Sequence, residues 1–143
     1  ILPGAMALVP NERGELLCTR RTDDGLWHPP GGYADLGETT TATVIREVRE
    51  ETGLAVEPVR VMGLYSQTPL MLARYPNGDV VHNVGIAFEC RITGGALRAD
   101  GDEASAVAFK PVEELLAQSF TSLTDTPQLL RDYLRRETWP VLR

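Results

Sequence analysis

The chain has 143 residues, 43% of them hydrophobic and 24% charged, which is globular composition and excludes a disordered tail, a collagen-like repeat and a bare coiled coil. Lys and Arg number 14 against 20 Asp and Glu, a formal charge of −6. Such a surface repels long polyanions, so no nucleic-acid polymer is expected as a partner, and no apolar run reaches the ~18–20 residues of a membrane span. The length is that of one domain, taken as residues 1–143.

In chain order, Ala5–Val9 and Glu15–Arg20 are apolar runs around the turn Pro10-Asn11-Glu12-Arg13-Gly14, which predicts a β-hairpin. Trp27–Gly32 carries two prolines and two glycines and cannot be helical. A helix is predicted from Thr39 or Thr40 to about Thr52, with Gly53 ending it. Val59–Tyr65 reads as a strand, Pro76–Asp79 as a turn and Val80–Arg91 as a long central strand ending at Gly94-Gly95. Ala96–Ala99 and Val107–Phe109 are short strand candidates around the acidic loop Asp100–Glu103. Val112–Ala117 and Gln128–Arg136 read as helices, the latter opened by Thr126-Pro127 and carrying an apolar stripe of Leu129, Leu130, Tyr133 and Leu134. Strands, helix, strands, helices imply an α/β fold with helices packed on a mixed sheet. Cys18 and Cys90 lie in strand-like surroundings and read as two small buried thiols, with a disulfide as the alternative. No signal peptide is visible, and the expected setting is reducing and cytoplasmic.

The helix Thr40–Thr52 is acidic where it should not be. At ~100° per residue, Glu51 lies about 40° to one side of Glu47 and Glu50 about 60° to the other, with Val44, Val48 and Ile45 on the flank beside Glu51. Like charges at i,i+4 cost roughly 0.2–0.5 kcal/mol per pair, and the last turn of a helix prefers cations. A solvated face with an Arg46–Glu50 pair would leave Glu47 and Glu51 beside apolar residues with no partner. A bound divalent cation accounts for them better. Oxygen-only ligands select Mg²⁺, with Mn²⁺ as an admissible substitute, and no histidine is present in the helix to favour zinc. Asp100–Glu103 is not an EF-hand, because the twelfth position would fall on Pro111.

Gly32, five residues, Glu38, seven residues, then Arg46-Glu47-Val48-Arg49-Glu50-Glu51-Thr52-Gly53-Leu54 resembles the complete Nudix box at every fixed position. Pro30 departs from the pattern, standing where many relatives have an aliphatic residue. The resemblance implies an α/β/α sandwich around a mixed sheet and Mg²⁺-dependent hydrolysis of a nucleoside diphosphate linked to another moiety. Carried over by position, Glu47, Glu50 and Glu51 would be metal ligands, the Gly32 backbone would add a carbonyl, Glu38 would act directly or through water, and Arg46 would orient the carboxylates. Metal ions neutralise phosphate oxygens and lower the pKa of bound water, which suits an anionic pyrophosphate.

Outside the box, Glu103 corresponds to a glutamate that in several relatives binds metal or takes the proton from water, leaving the general base as Glu47 or Glu103. Arg20 or Arg21 is a candidate for a phosphate contact, with a surface role as the alternative. Trp27 is a candidate for base stacking, with core packing equally open. His28 and His82 read as structural, as do Tyr65, Tyr75 and Phe88. Pro69 lies fifteen positions beyond Leu54, where ADP-ribose hydrolases often carry a proline, although Thr68-Pro69 also suits an ordinary turn. The expected substrate is a small nucleotide, ADP-ribose or a related nucleotide sugar first. Pyrophosphate removal from a nucleoside triphosphate and a non-catalytic nucleotide sensor are the alternatives. Membrane partners are not expected, and a homodimer is left open.

Overall fold

A computed structural model describes residues 1–120 and 125–143. Nine strands and three helices follow in the order β1 (Leu2–Leu8), β2 (Leu16–Arg21), β3 (Trp27–His28), β4 (Gly31–Tyr33), α1 (Thr40–Thr52), β5 (Leu54–Tyr65), β6 (Leu72–Arg74), β7 (Val80–Gly95), β8 (Ala104–Lys110), α2 (Val112–Leu116), α3 (Thr126–Tyr133) and β9 (Val141–Leu142) among the described residues. The larger sheet runs β4-β1-β7-β5-β9, with β6 paired to the start of β7. It is mixed: β1–β7 and β5–β9 are parallel, the other pairs antiparallel. A second sheet has the order β3-β2-β8.

The period-2 alternation of β1 decides where the helices pack. Ala5, Ala7 and Val9 join Val44 and Val48 of α1 in one buried cluster with Leu17, Val56, Phe88 and Cys90. Leu8 joins the other cluster, with Leu16, Cys18, Met62, Tyr65 and the α2 and α3 residues Val112, Leu115, Leu129 and Leu130. One core lies on each face, so the α/β/α arrangement expected from the sequence is present. Each fully buried Val or Leu in these clusters contributes roughly 1.5–3 kcal/mol. Cys18 and Cys90 are free buried thiols, and burial pushes the Cys90 thiol up to about 12.

The predicted hairpin does not form as one ladder. Its turn closes, with Asn11 N donating to Glu15 O at 2.9 Å and a single bridge from Pro10 to Leu16, but the arms then enter different sheets. Pro10 has no N–H to continue the pairing. β1 takes β4 and β7 as partners, while β2 takes β3 and β8. Ala96–Ala99 is not a strand, and Val107–Phe109 is the middle of β8. The last long helix is shorter than expected, ending at Tyr133. Its N-cap is Asp125 rather than Thr126, with Pro127 in the first turn. Leu134 is 53% exposed and drops out of the stripe, and Ile45 of α1 is 40% exposed.

Candidate active site

The site is built on α1 and the short edge strand β4 before it. Thr39 caps α1, its hydroxyl accepting from Ala42 N at 3.2 Å. Gly53 ends it in the left-handed conformation at φ 78°, with its N–H on Arg49 O, and the chain enters β5 at once. Val44 and Val48 are fully buried, so the helix cannot rotate without exposing them, and its acidic flank is fixed toward β4.

β4 needs both its glycines. A Cβ on Gly31 would overlap the backbone of Ala5 and Met6 on β1, where the strands pair. A Cβ on Gly32 would overlap the Glu47 carboxylate, which lies directly against this backbone. Gly31 N donates to Glu51 Oε2 at 3.1 Å. The glycine pair thus lets α1 bring two carboxylates onto a strand without side chains intervening.

Arg46 organises the rest. Its Nε donates to Glu38 Oε1 and its Nη2 to Glu38 Oε2, each at 2.9 Å, while Nη2 also reaches Tyr33 O at 2.9 Å. Nη1 donates to Glu47 Oε1 at 2.8 Å and to Glu50 Oε2 at 3.2 Å. Glu38 Oε2 also accepts from Thr43 Oγ1 at 2.8 Å and from Asp35 N at 3.0 Å, so both Glu38 oxygens are engaged within the protein. These donors, Arg46 first, pull the Glu38 carboxyl down to about 2.

The other acidic groups behave oppositely. Burial pushes Glu51 up to about 8, and the charges of Glu47 and Glu103 add to that against the Gly31 bond and Arg21. Glu47 is also raised, by burial first, with Arg46 opposing and Glu50 and Glu103 reinforcing. Glu103, on the loop before β8, therefore faces the same negative concentration as Glu47 and Glu51. Glu50 points outward, its side chain 58% exposed. Among the described residues no three acidic, histidine or cysteine side chains are drawn together closely enough to grip an ion unaided. Glu47 and Glu50 are turned onto Arg46, and Glu51 onto Gly31 N. The donor chemistry nonetheless fits a hard divalent cation: all oxygen, and two partly buried carboxylates whose mutual repulsion with Glu103 a cation relieves.

Beside β4 opens a cleft of about 460 Å³, floored by β1 and β7. Arg21 lines it, bound to Asp23 through Nε at 3.0 Å and Nη2 at 2.6 Å. Arg20 does not line it; its Nε donates to Gly25 O at 3.0 Å. Trp27 packs against the α2–α3 core with Lys110 Nζ 4.8 Å over its ring, and its backbone is held by Gln118 at 2.7 and 2.9 Å. His28 lines the cleft with both ring nitrogens bonded, to Asp24 Oδ2 and Thr126 Oγ1, each at 2.9 Å. His82 holds Ser66 O at 2.7 Å. Pro69 lies in the turn that presents Met71 to the cleft, its carbonyl accepting from Leu72 N at 3.1 Å. Sequence reasoning missed Tyr33, Asn83 and Asp125 as cleft residues and took Tyr75, 43% exposed at the cleft, for packing. Asn83 had a signal: it is a polar residue inside the apolar run of β7.

A sequence-family model, NUDIX domain, matches residues 1–133. The chain is 34% identical over 111 residues to an ADP-ribose pyrophosphatase of Methanocaldococcus jannaschii, covering 78% of this chain and 59% of that protein. It is 34% identical over 106 residues to a putative 8-oxo-dGTP diphosphatase of Bacillus subtilis, covering 74% and 64%. The chain spans about six tenths of the length of the curated relatives it matches. Among solved structures, a crystal structure of an ADP-ribose pyrophosphatase from Streptococcus suis superposes with a TM-score of 0.73 at 24% identity, covering 99% of this chain and 96% of that one. That likeness shows the fold.

Proposed function

The chain belongs to the Nudix family, and from that premise we propose that it hydrolyses the phosphoric anhydride of a nucleoside diphosphate joined to a second moiety, with ADP-ribose as the leading substrate. The observation that carries this reading is the Glu47 carboxylate lying against the Gly32 backbone and Glu51 Oε2 accepting from Gly31 N at 3.1 Å, with the charge of Glu103 acting on both, while Gly31 and Gly32 themselves line an open cleft. Carboxylates gathered in this way are unsuited to binding an anionic nucleotide alone. They suit an anion that arrives with divalent cations, which argues for turnover rather than sensing. The relative named an ADP-ribose pyrophosphatase supports the choice of leading substrate.

Glu47, Glu51 and Glu50 would hold Mg²⁺, with the Gly32 carbonyl as a further ligand. When bound, the cation neutralises the phosphate oxygens and acidifies water. Glu38 serves through Arg46, since both its oxygens are occupied there. Arg46 fixes the carboxylates of Glu47 and Glu50 before substrate arrives, so less ordering is left for the reaction itself. Arg21 supplies a guanidinium at the cleft wall for a phosphate oxygen. In the reaction, water oxygen adds to one phosphorus as the bridging P–O bond breaks. The water proton goes to a carboxylate, Glu103 or Glu47, and the departing phosphate keeps the bond's electron pair. ADP-ribose would give AMP and ribose 5-phosphate.

The test is mass-spectrometric identification of these two products after incubation with Mg²⁺, against a chelator control. No hydrolysis of ADP-ribose or of any other nucleoside diphosphate derivative tested would remove the reading.

A further inference from the structure

Of the Phe, Tyr and Trp side chains among the described residues, two are exposed, Tyr33 at 42% and Tyr75 at 43%, and both line the cleft. The other two tyrosines belong to the core. Tyr65 is fully buried with its phenol donating to Asp132 Oδ2 at 3.1 Å, and Tyr133 lies against Trp139. Trp139 is itself buried, and Trp27 packs on the α2–α3 core. Exposed rings gathered on one concave surface mark a place where something covers them.

The two tyrosines stand on opposite walls. Tyr33 follows Gly32 on β4 and pairs with Gly4 of β1. A Cβ on Gly4 would meet Tyr33 Cδ1 at 3.5 Å, so the ring lies back over the strand that floors the cleft. Gly4 in turn pairs with Gly85 of β7. Met6 and Met71 send their methyl ends to Gly85, where an added Cβ would meet them at 3.4 and 3.6 Å. Tyr75 sits beyond β7, in the turn that joins β6 to it, its N donating to Asp79 O and its O accepting from Gly78 N, each at 2.9 Å. Both rings are thus rooted in hydrogen-bonded backbone, on either side of a floor of glycine and thioether. Such walls suit a flat apolar ring. The same cleft holds Arg21 and the Gly31-Gly32 backbone, and Tyr33 is the next residue along β4. An anhydride held at the glycines therefore has its nucleoside within reach of these rings.

We propose that Tyr33 and Tyr75 form the stacking surface for the nucleobase of the substrate. The inference rests on the hydrolase reading above and adds where the base sits. Every base has a π-face, so stacking is tolerant of which base is present. The two tyrosines set the preference for a nucleotide over a sugar phosphate, not the choice among bases.

The experiment is isothermal calorimetry in Mg²⁺ with AMP, GMP and ribose 5-phosphate, none of which carries an anhydride. The proteins are wild type, Tyr33→Ala, Tyr75→Ala, Tyr33→Phe and Tyr75→Phe, with melting temperatures as the check on folding. The tighter nucleotide is expected to bind wild type about tenfold or more tighter than ribose 5-phosphate. Each Ala variant should lose about fivefold or more in nucleotide affinity with ribose 5-phosphate unmoved, and each Phe variant should keep that affinity because it keeps the ring. Should Tyr33→Ala, which uncovers Gly4, fail to fold, Tyr33→Leu takes its place. No nucleotide binding, nucleotides no tighter than ribose 5-phosphate in wild type, or unchanged nucleotide affinity in either folded Ala variant would overturn the proposal. So would a loss in a folded Phe variant equal to that in its Ala counterpart. Nucleotide hydrolysis is scored separately. Ring-dependent binding without turnover would remove the hydrolase reading and keep the base site; turnover with wild-type KM in the Ala variants would do the reverse.

Discussion

The Arg46 guanidinium grips both carboxylate oxygens of Glu38, eight residues earlier, at 2.9 Å each. That fork ties the loop before α1 to the helix and aims the remaining guanidinium N–H groups at Glu47, Glu50 and the Tyr33 carbonyl. Lysine cannot reproduce it, having a single ammonium in place of a planar fork. Arg46→Ala and Arg46→Lys are both expected to lower kcat/KM by about 10²-fold or more and to weaken Mg²⁺ affinity in parallel. Mg²⁺ titrations of activity and of binding heat check this. An isolated surface pair would instead leave the kinetics alone and cost ~0.2–1 kcal/mol of stability.

Two adjacent glycines should fail differently. A methyl group on Gly32 meets only the Glu47 carboxylate within its closest shell, so Gly32→Ala should displace that group. The expected result is a folded protein with kcat/KM down by about tenfold or more, since displaced catalytic groups cost this much or greater. A methyl group on Gly31 meets the β1 backbone, which cannot yield. Gly31→Ala should lower thermal stability by about 1–3 kcal/mol. Equal loss of stability in both variants would refute the assignment of Gly32 to the carboxylate.

The stability of the metal-free protein should fall as pH rises above the acidic range. Glu51 is raised from its ordinary value to about 8, so its neutral form favours the fold. That contribution is complete below about 4.5 and is lost as pH climbs through 8. Glu38 has the opposite sign: lowered to about 2, it stabilises above 4.5 and is lost on acidification toward 2. Between these limits Glu51 and Glu47 set the slope. In chelator, the melting temperature of wild type should drop between pH 5 and 8, Glu51→Gln should flatten that drop, and Mg²⁺ should flatten it in wild type. A slope unchanged in Glu51→Gln would show that the carboxyl does not titrate there.

The role proposed for Glu103 is to take the proton from water. Its charge reaches Glu47 and Glu51, and its own backbone carbonyl anchors the loop by accepting from Thr22 N at 3.0 Å. Glu103→Gln is expected to lower kcat by roughly 10²-fold, the ordinary size of general-base loss, with KM little changed. Steady-state kinetics on ADP-ribose decide it. An inert variant would return the proton to Glu47.

Sequence patterning reached the helix and its acid flank because capping, the Gly53 stop and the 3.6-residue period are local signals. Glu47 and Glu51 facing the core side and Glu50 facing out follow from that period alone. Arg46 was legible as a partner of the carboxylates, but not its hold on the Tyr33 carbonyl, which depends on where β4 lies. The β1–β2 hairpin was misread because two runs joined by a turn can pair with each other or with strands far along the chain, and nothing local distinguishes these outcomes. Tyr33 and Asn83 reach one cleft only through the long-range pairing of β1 with β4 and β7, and Asp125 joins them from the start of α3. For the same reason Arg20 and Arg21, adjacent in sequence and equal as candidates, part company: the alternation of β2 sends Arg21 to the cleft and Arg20 away from it.

The most direct measurement is kcat/KM with Mg²⁺ across ADP-ribose, other nucleoside diphosphate derivatives and nucleoside triphosphates, for wild type and Glu51→Gln side by side. The account predicts that ADP-ribose or a close diphosphate derivative leads the triphosphates, that chelator abolishes turnover, and that Glu51→Gln reduces it by about 10²-fold or more while remaining folded. Triphosphates ahead by about tenfold or more, or wild-type turnover in Glu51→Gln at saturating Mg²⁺, would contradict it.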